Sequence, residues 1–270
     1  MQHRDLSGRV VAVTGAAGGL GRALVAAFAR RGASVAALDV DAAGLERLAA
    51  EHGAAPLLTR VCDLTREDEC RDAVAEVVER FGGLDVLVNN AGISHRSLLR
   101  STRAEVIRRV MQVNFFGAVN ATHAALESIV ARRGAVVAIS SVAGFSPLAA
   151  RAGYSASKHA LHGYFDTLRA ELDGTGVGVL VVCPSFIRTG IAQSHLGADG
   201  AAAQGPRTVV GAALDPDDVA ERIARALESG RSLLTVGRVA WLAWWVSRLA
   251  PGLYARIMLR QFRAEMGAGD

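Results

Sequence analysis

The strongest constraint on this chain is a repeated change of period, in which short β-branched apolar runs alternate with Ala/Leu/Arg stretches of helical spacing along the whole sequence. The apolar runs are Arg9–Thr14, Ser34–Asp39, Leu57–Val61, Leu84–Asn89, Ala135–Ser140, Gly178–Cys183 and Leu233–Val236. Runs of this kind read as strands of a parallel sheet covered on both faces. Successive βαβ units of this kind predict an α/β fold, a doubly wound parallel sheet of about seven strands with helices on both faces. The 270 residues carry no Pro/Gly/Ser-rich linker, so one domain over residues 1–270 is expected. With 51% hydrophobic and 21% charged residues, general disorder is excluded.

No stretch approaches the roughly 20 apolar residues of a spanning helix. The N-terminus also lacks a basic flank followed by an apolar run, so a cytoplasmic protein is expected. Cys62, Cys70 and Cys183 are odd in number and form no close pair, which reads as reduced core thiols with no metal site. The net charge of +4 could suggest nucleic acid, but its distribution does not. Six arginines and no acidic residue lie between Arg231 and Ala264, which leaves the remainder of the chain slightly acidic. No basic stripe is interleaved with aromatics, and a nucleic-acid partner is not expected. Lys158 is the sole lysine, and it falls inside a motif.

The first apolar run ends in Thr14-Gly15-Ala16-Ala17-Gly18-Gly19-Leu20-Gly21 and opens a helix read as Arg22–Arg31. Free N–H groups and the helix dipole at such a turn suit a pyrophosphate, and Gly15, Gly19, Leu20 and Gly21 are the expected contacts. The second run ends at Asp39, 18 residues after Gly21, where a carboxylate can accept from both ribose hydroxyls and repels a 2′-phosphate. NAD is therefore expected as cofactor in preference to NADP, with Arg22 as the residue that speaks against it. Asp63 after the third run would face the adenine, and Asn90, Ala91 and Gly92 follow the fourth at the strand ends where open sheets bind ligands. Each also has a plain structural alternative, a helix cap for Asp63 and a turn for Asn89 and Asn90.

Ser140-Ser141 closes the fifth run, and Tyr154-Ser155-Ala156-Ser157-Lys158 follows. Tyr154 and Lys158 are four apart on a helix and project from one face. A phenol is a poor proton-transfer group at neutral pH, but a neighbouring ammonium and a cationic nicotinamide favour its phenolate. Lowering its pKa by roughly three units needs about 4 kcal/mol.

Over residues 8–190 these motifs resemble the short-chain dehydrogenases/reductases, in the family's order: TGAAGGLG, the NNAG segment, the Asn of Val113-Asn114-Phe115, Ser141 thirteen residues before Tyr154, and YSASK. The resemblance implies a Rossmann fold. It makes Tyr154 the general acid/base, Ser141 the hydrogen-bond donor to the reacting oxygen, Lys158 the ribose holder that lowers the tyrosine pKa, and Asn114 the anchor of a proton-relaying water. It further implies nicotinamide contacts from Pro184, the Ile187 backbone and the Thr189 hydroxyl, with Ser185 standing where the family usually has glycine. A homodimer or homotetramer is implied as well. The tight tyrosine–lysine spacing departs from the enoyl-reductase branch, and the length from extended epimerases. The expected activity is reversible hydride transfer between a secondary alcohol and a ketone. A non-catalytic dinucleotide sensor, or a membrane-recruited scaffold of the same fold, is the alternative.

The expected substrate side comprises Ser94, His95, Phe145, Pro147, Leu148, Phe186, Ile191 and Leu196, with no Arg, Lys or acid, which points to a small hydrophobic alcohol or ketone. His95 is the candidate polar anchor, and His159 and His162 are placed on the outer helix surface or in an interface. Residues 158–171 resemble, more weakly, the hydroxysteroid- and retinoid-type branch. Residues 190–213 read as a substrate loop. Residues 238–263 read as basic amphipathic helices: Val239, Leu242, Val246 and Leu249 keep helical spacing, and beyond Pro251 the stripe Tyr254, Met258, Phe262 faces away from Arg256, Arg260, Arg263. This tail is expected to cover the pocket, to pack a subunit or to make peripheral contact with a membrane.

Overall fold

The computed structural model describes residues 4–52, 56–188, 195–203 and 209–267. The seven apolar runs form β1 (Val10–Thr14), β2 (Ser34–Asp39), β3 (Leu57–Val61), β4 (Val86–Asn89), β5 (Ala135–Ile139), β6 (Gly178–Pro184) and β7 (Leu233–Val236). They make one sheet in the order β3-β2-β1-β4-β5-β6-β7, with every neighbouring pair parallel. The order reverses between β1 and β4, and there the sheet opens a crevice at its carboxyl ends. Strand four starts two residues later than its sequence suggests, because Leu84 gives its N–H to the Ser128 hydroxyl at 2.8 Å instead of to a ladder.

Helices α1 (Gly19–Ala29), α2 (Ala42–His52) and α7 (Pro216–Glu228) cover one face of the sheet. The other face carries α3 (Glu67–Phe81), α5 (Gly117–Ala131) and α6 (Ala152–Glu171). Val11 and Val13 pack with Leu24, Phe28 and Ile223 on the first side, while Val10 and Ala12 pack with Val77, Ile129 and Phe165 on the second. Both side-chain rows of β1 are therefore in core, which is why the strand reads as a uniform apolar run.

Two helices carry their own start signals. Asp215 caps α7 by accepting the Asp217 N–H, with Pro216 in the first turn, and α3 opens with Glu67, Asp68 and Glu69 and ends at Gly82, whose φ is 77°. Helix α1 differs: it begins at Gly19, three residues before the sequence reading, with no side-chain cap and no acid in its first turn. Its leading N–H groups are left for something other than the chain's own side chains.

Helix α4 (Ala104–Met111) runs through a π-helical turn, Gln112–Phe116, into α5, and a 3₁₀ turn, Val142–Gly144, follows β5. After β7 come α8 (Arg238–Leu249) and α9 (Pro251–Gly267). Ala240 and Ala243 form a small third cluster with Val142, against which Phe145 and Tyr254 pack. No helix among the described residues is long and apolar enough to cross a membrane. All three cysteines are buried and free.

Candidate active site

The glycine turn after β1 is held by its neighbours across the crevice. Thr14 Oγ1 accepts from the Asn90 and Ala91 N–H groups at 3.0 and 3.1 Å, and Asn90 Nδ2 donates to the Thr14 and Gly15 carbonyls. Gly15 adopts φ of 64°, and a Cβ there would stand 2.7 Å from the Ala91 Cα. A Cβ on Gly21 would lie 2.0 Å from the Gly15 carbonyl oxygen, so this helix start closes against the turn only with glycine. Asn90 is thus more than a turn residue: it staples the nucleotide-side loop to the end of β4.

Asp39 sits at the end of β2 and accepts the Ala17 N–H at 2.9 Å through one oxygen and the Asp41 N–H at 3.0 Å through the other. That aims the carboxylate at the glycine turn, with lone pairs to spare for hydroxyl donors. Arg22, the residue that could have favoured a 2′-phosphate, is paired with Glu51. Asp63 Oδ1 accepts from the Thr65 N–H and hydroxyl, an Asx turn that leads into α3 without capping it. An uncapped helix start, a bare glycine turn and a ribose-side carboxylate are the donor and acceptor set that a dinucleotide needs, so the residues fit an NAD-type cofactor.

The reactive side chains converge on the same crevice from β5 and α6. Ser141 lies in extended backbone at the end of β5, and its Oγ accepts the Ala143 N–H at 3.1 Å. One turn apart on α6, Tyr154 and Lys158 project together, with the lysine Nζ 5.8 Å from the tyrosine ring centre. Lys158 is only 4% exposed and donates to the Ile139 carbonyl at 2.8 Å. Burial lowers its pKa to about 8. Asn114 is buried in the π-helical turn, a deviation that re-aims side chains and recurs at functional sites. Its Oδ1 accepts the Ile93 N–H at 2.7 Å, and its Nδ2 donates to the Ile93 carbonyl and to Ser157 Oγ. Ser157 in turn donates to the Tyr154 carbonyl. Asn114 therefore ties the segment after Gly92 to the Tyr154 helix, and one lone pair remains on its Oδ1. A Cβ on Gly92 would stand 3.2 Å from that oxygen and 3.5 Å from Lys158 Nζ, so the glycine keeps the space between them open.

A cavity of about 290 Å³ joins this constellation to the outside. Its floor is Asn90, Gly92, Ser141, Tyr154 and Lys158, and Leu20, Pro184, Ser185 and Ile187 line the nucleotide side. Ser185 is accommodated opposite Gly237, where a Cβ would come within 2.6 Å of its hydroxyl oxygen. Of the residues expected on the substrate side, Ser94, Leu148 and Phe186 line this cavity.

Several expectations are corrected. His95 is not in the lining: it is fully buried, its Nε2 accepts the Gly153 N–H at 2.8 Å and its Nδ1 faces Ser97 Oγ at 3.3 Å. Burial holds it near 4, so it is a neutral strut between the loop after β4 and α6. Phe145 turns away and packs edge-on against Trp244, 4.8 Å between ring centres. His162 points inward, 3.4 Å from Cys183 Sγ, instead of lying on the outer surface. Burial drives that imidazole down to about 4 and the thiol up to about 12, so the pair stays neutral. The lining also contains a cation and a histidine that were not expected, Arg151 and His195. Arg151 immediately precedes α6, in non-helical backbone three residues before Tyr154, and its nearness to that motif is the only signal the sequence offered. Its guanidinium sits 5.2 Å above the Phe262 ring and Nη1 donates to the Ala149 carbonyl. Thr189 and Ile191 lie outside the described residues, as do residues 190–194 and 204–208 of the expected substrate loop.

The remaining wall comes from the tail. Val239, Ala243 and Val246 of α8 and Tyr254, Met258 and Phe262 of α9 face the cavity, and the Tyr254 hydroxyl donates to the Pro147 carbonyl at 3.3 Å. Leu242 and Leu249, which share the stripe of Val239 and Val246 in the sequence, are exposed.

Residues 9–199 match the family described as short chain dehydrogenase. The chain is 37% identical over 272 residues to dehydrogenase/reductase SDR family member 7B of Mus musculus, an alignment covering 96% of this chain and 83% of the mouse protein. Among solved structures, it is similar to a short chain dehydrogenase/reductase from Burkholderia phymatum in complex with NAD, with a TM-score of 0.83, 24% identity, and coverage of 93% of this chain and 96% of the other. It is also similar to 3-ketoacyl-(acyl-carrier-protein) reductase from Brucella melitensis complexed with NADH, with a TM-score of 0.76, 26% identity, and coverage of 86% and 97%.

Proposed function

The chain belongs to the short-chain dehydrogenase family, a family of oxidoreductases, and from that premise we propose that it interconverts a hydrophobic secondary alcohol and its ketone with NAD(H). The observation that carries this reading is the meeting of Ser141, Tyr154 and Lys158 at the floor of a mainly apolar cavity that Leu20 of the glycine motif also lines.

When bound, the nicotinamide cofactor accepts or supplies the hydride. The glycine turn and the start of α1 would hold its pyrophosphate, Asp39 its adenosine ribose, and Pro184, Ile187 and Thr189 its nicotinamide half. Tyr154 removes the hydroxyl proton during oxidation and returns it during reduction. Ser141 Oγ already accepts the Ala143 N–H, which leaves its own proton to donate to the substrate oxygen. Lys158 spends one of its three N–H donors on Ile139 and has two left for ribose hydroxyls. At neutral pH it keeps its proton, and its positive charge beside the ring favours the tyrosine phenolate. Asn114 fixes the lysine's surroundings through Ile93 and Ser157 and offers its remaining lone pair to a relaying water. Asp39 and the Arg22–Glu51 pair both support NAD over NADP.

Leu148, Phe186, Val239, Val246 and Met258 favour an apolar body on the substrate, in keeping with the weaker resemblance to hydroxysteroid- and retinoid-type enzymes. A homodimer or homotetramer is part of the proposal, checked by sedimentation velocity. Fluorescence titration with NADH and NADPH, followed by a panel of bulky apolar alcohols and ketones read by nicotinamide absorbance, tests the reaction. Tighter NADH binding with turnover on that panel is expected, and tight binding with no turnover on any member refutes the substrate class.

A further inference from the structure

Helix α8 is packed inside out. Its buried residues are Ala240 and Ala243, whereas Trp241, Leu242, Trp245 and Leu249 face solvent, Leu249 being 77% exposed. At 100° per residue these four fall within an arc of about 100°, one continuous outward stripe. On α9, Leu253, Ile257 and Leu259 are exposed beside Arg256, Arg260 and Arg263, while Tyr254, Met258 and Phe262 face the cavity. Elsewhere among the described residues, exposed large apolar side chains are few: Val40 and Val61 at neighbouring strand ends, Leu99, Phe116 and Val209.

We propose that the outer face of α8 and α9 docks on an anionic lipid surface and that the substrate cavity opens there. Charge selects the occupant. Arg238, Arg248, Arg256, Arg260 and Arg263 are all exposed on these two helices, and no Asp or Glu occurs from residue 231 to residue 264. A second copy on the same face would set arginines against arginines, whereas lipid phosphates complement them, with tryptophans at the polar–apolar boundary. Leu242 and Ile257 each belong both to the exposed face and to the cavity lining, 56% and 39% exposed, so the wall that touches lipid is the wall of the pocket. An apolar alcohol or ketone dissolved in the bilayer would reach Tyr154 without crossing water. That last point rests on the proposed reaction; the docking does not.

All three tryptophans of the chain, Trp241, Trp244 and Trp245, lie in this region, so tryptophan fluorescence, excited beyond the tyrosine absorption, reports on it alone. The full chain is mixed with vesicles of equimolar phosphatidylcholine and phosphatidylglycerol, and with vesicles of phosphatidylcholine only. A blue shift and co-sedimentation with the anionic vesicles, weakened by salt, are expected. The pairs Trp241→Ser with Trp245→Ser and Arg256→Gln with Arg260→Gln should each lower partitioning at least about tenfold, with turnover of a small water-soluble ketone kept within about twofold. Absence of binding to anionic vesicles, binding unaltered in both variants, or a blue shift produced by raising protein concentration without lipid would each overturn the docking. Loading a bulky ketone into the anionic vesicles should raise its turnover for the wild type and not for the variants. If the same ketone is turned over in detergent but gains nothing from vesicles that bind the protein, the cavity opening is overturned. If vesicles bind and no ketone reacts in either medium, the proposed reaction fails and the docking is upheld.

Discussion

The two sides of the cavity are built on opposite principles. The floor, Asn90, Gly92, Ser141, Tyr154 and Lys158, together with the glycine turn and Asn114 that brace it, is positioned by strand ends and by hydrogen bonds made largely to backbone. The roof, α8 and α9, is held chiefly by apolar contact, with the Tyr254–Pro147 hydrogen bond and the Arg151–Phe262 stacking among its few directed interactions. A floor of that kind tolerates little change in residue type, whereas a roof of that kind sets shape and tolerates much. Chemistry should therefore depend on the floor and selectivity on the roof.

The sharpest way to break this contrast is Tyr154→Phe, which should lower turnover on the order of a thousandfold while NADH affinity holds, since one proton-transfer group is removed and the cavity keeps its form. Retained turnover in steady-state assays would dismiss the tyrosine as acid/base. Gly21→Ala tests the rigidity of the floor, because its Cβ would meet the Gly15 carbonyl at 2.0 Å. A loss of about 1–3 kcal/mol in urea denaturation and a drop of at least about tenfold in NADH affinity are expected. Gly163→Ala, on α6 with nothing within 4 Å of its Cβ, is the control and should be neutral or slightly stabilising. On the roof, Met258→Ala should raise KM for a bulky ketone about fivefold and leave NADH affinity and the kcat for a small ketone unchanged. If kcat falls for both ketones, the roof takes part in the chemistry and the contrast fails.

The smallest effect is one of protonation. Burial lowers Lys158 from 10.5 to about 8, so between those pH values the folded chain binds fewer protons at this site than the unfolded chain. Stability then rises with pH through that window. In denaturant titrations of the cofactor-free protein, wild type should gain on the order of 1 kcal/mol over Lys158→Met between pH 8 and pH 9. A constant difference between the two proteins would show that the ammonium is not desolvated. Ionisation of the cysteine thiols occurs in both proteins and cancels.

Much of the floor was legible in the sequence because its chemistry demands particular residue types at particular spacings. Gly15 and Gly21 are required by a turn and a contact that leave no room for a Cβ, Tyr154 and Lys158 by one helical turn, and Asp39 by the end of a strand. Sequence periodicity likewise marks the seven strands, with the interior ones buried on both faces because uniform apolar runs suit the interior of a parallel sheet, while the edge strand β3 has no buried residue. What spacing could not show is direction. His95 and Arg151 both neighbour motif residues, yet the histidine became a buried strut and the arginine entered the lining, because Gly153 N–H and the Phe262 ring were there to receive them.

The tail makes the same point on a larger scale. By itself the sequence determined the sheet, the glycine turn and the Ser141–Tyr154–Lys158 set, since each rests on local sterics and fixed reach along a strand or a helix. Only the tertiary structure decided that Tyr254, Met258 and Phe262 close the cavity and that Trp241, Trp245 and Leu249 face outward. The physical reason is that an apolar stripe fixes which face of a helix avoids water, and not which apolar surface that face will meet.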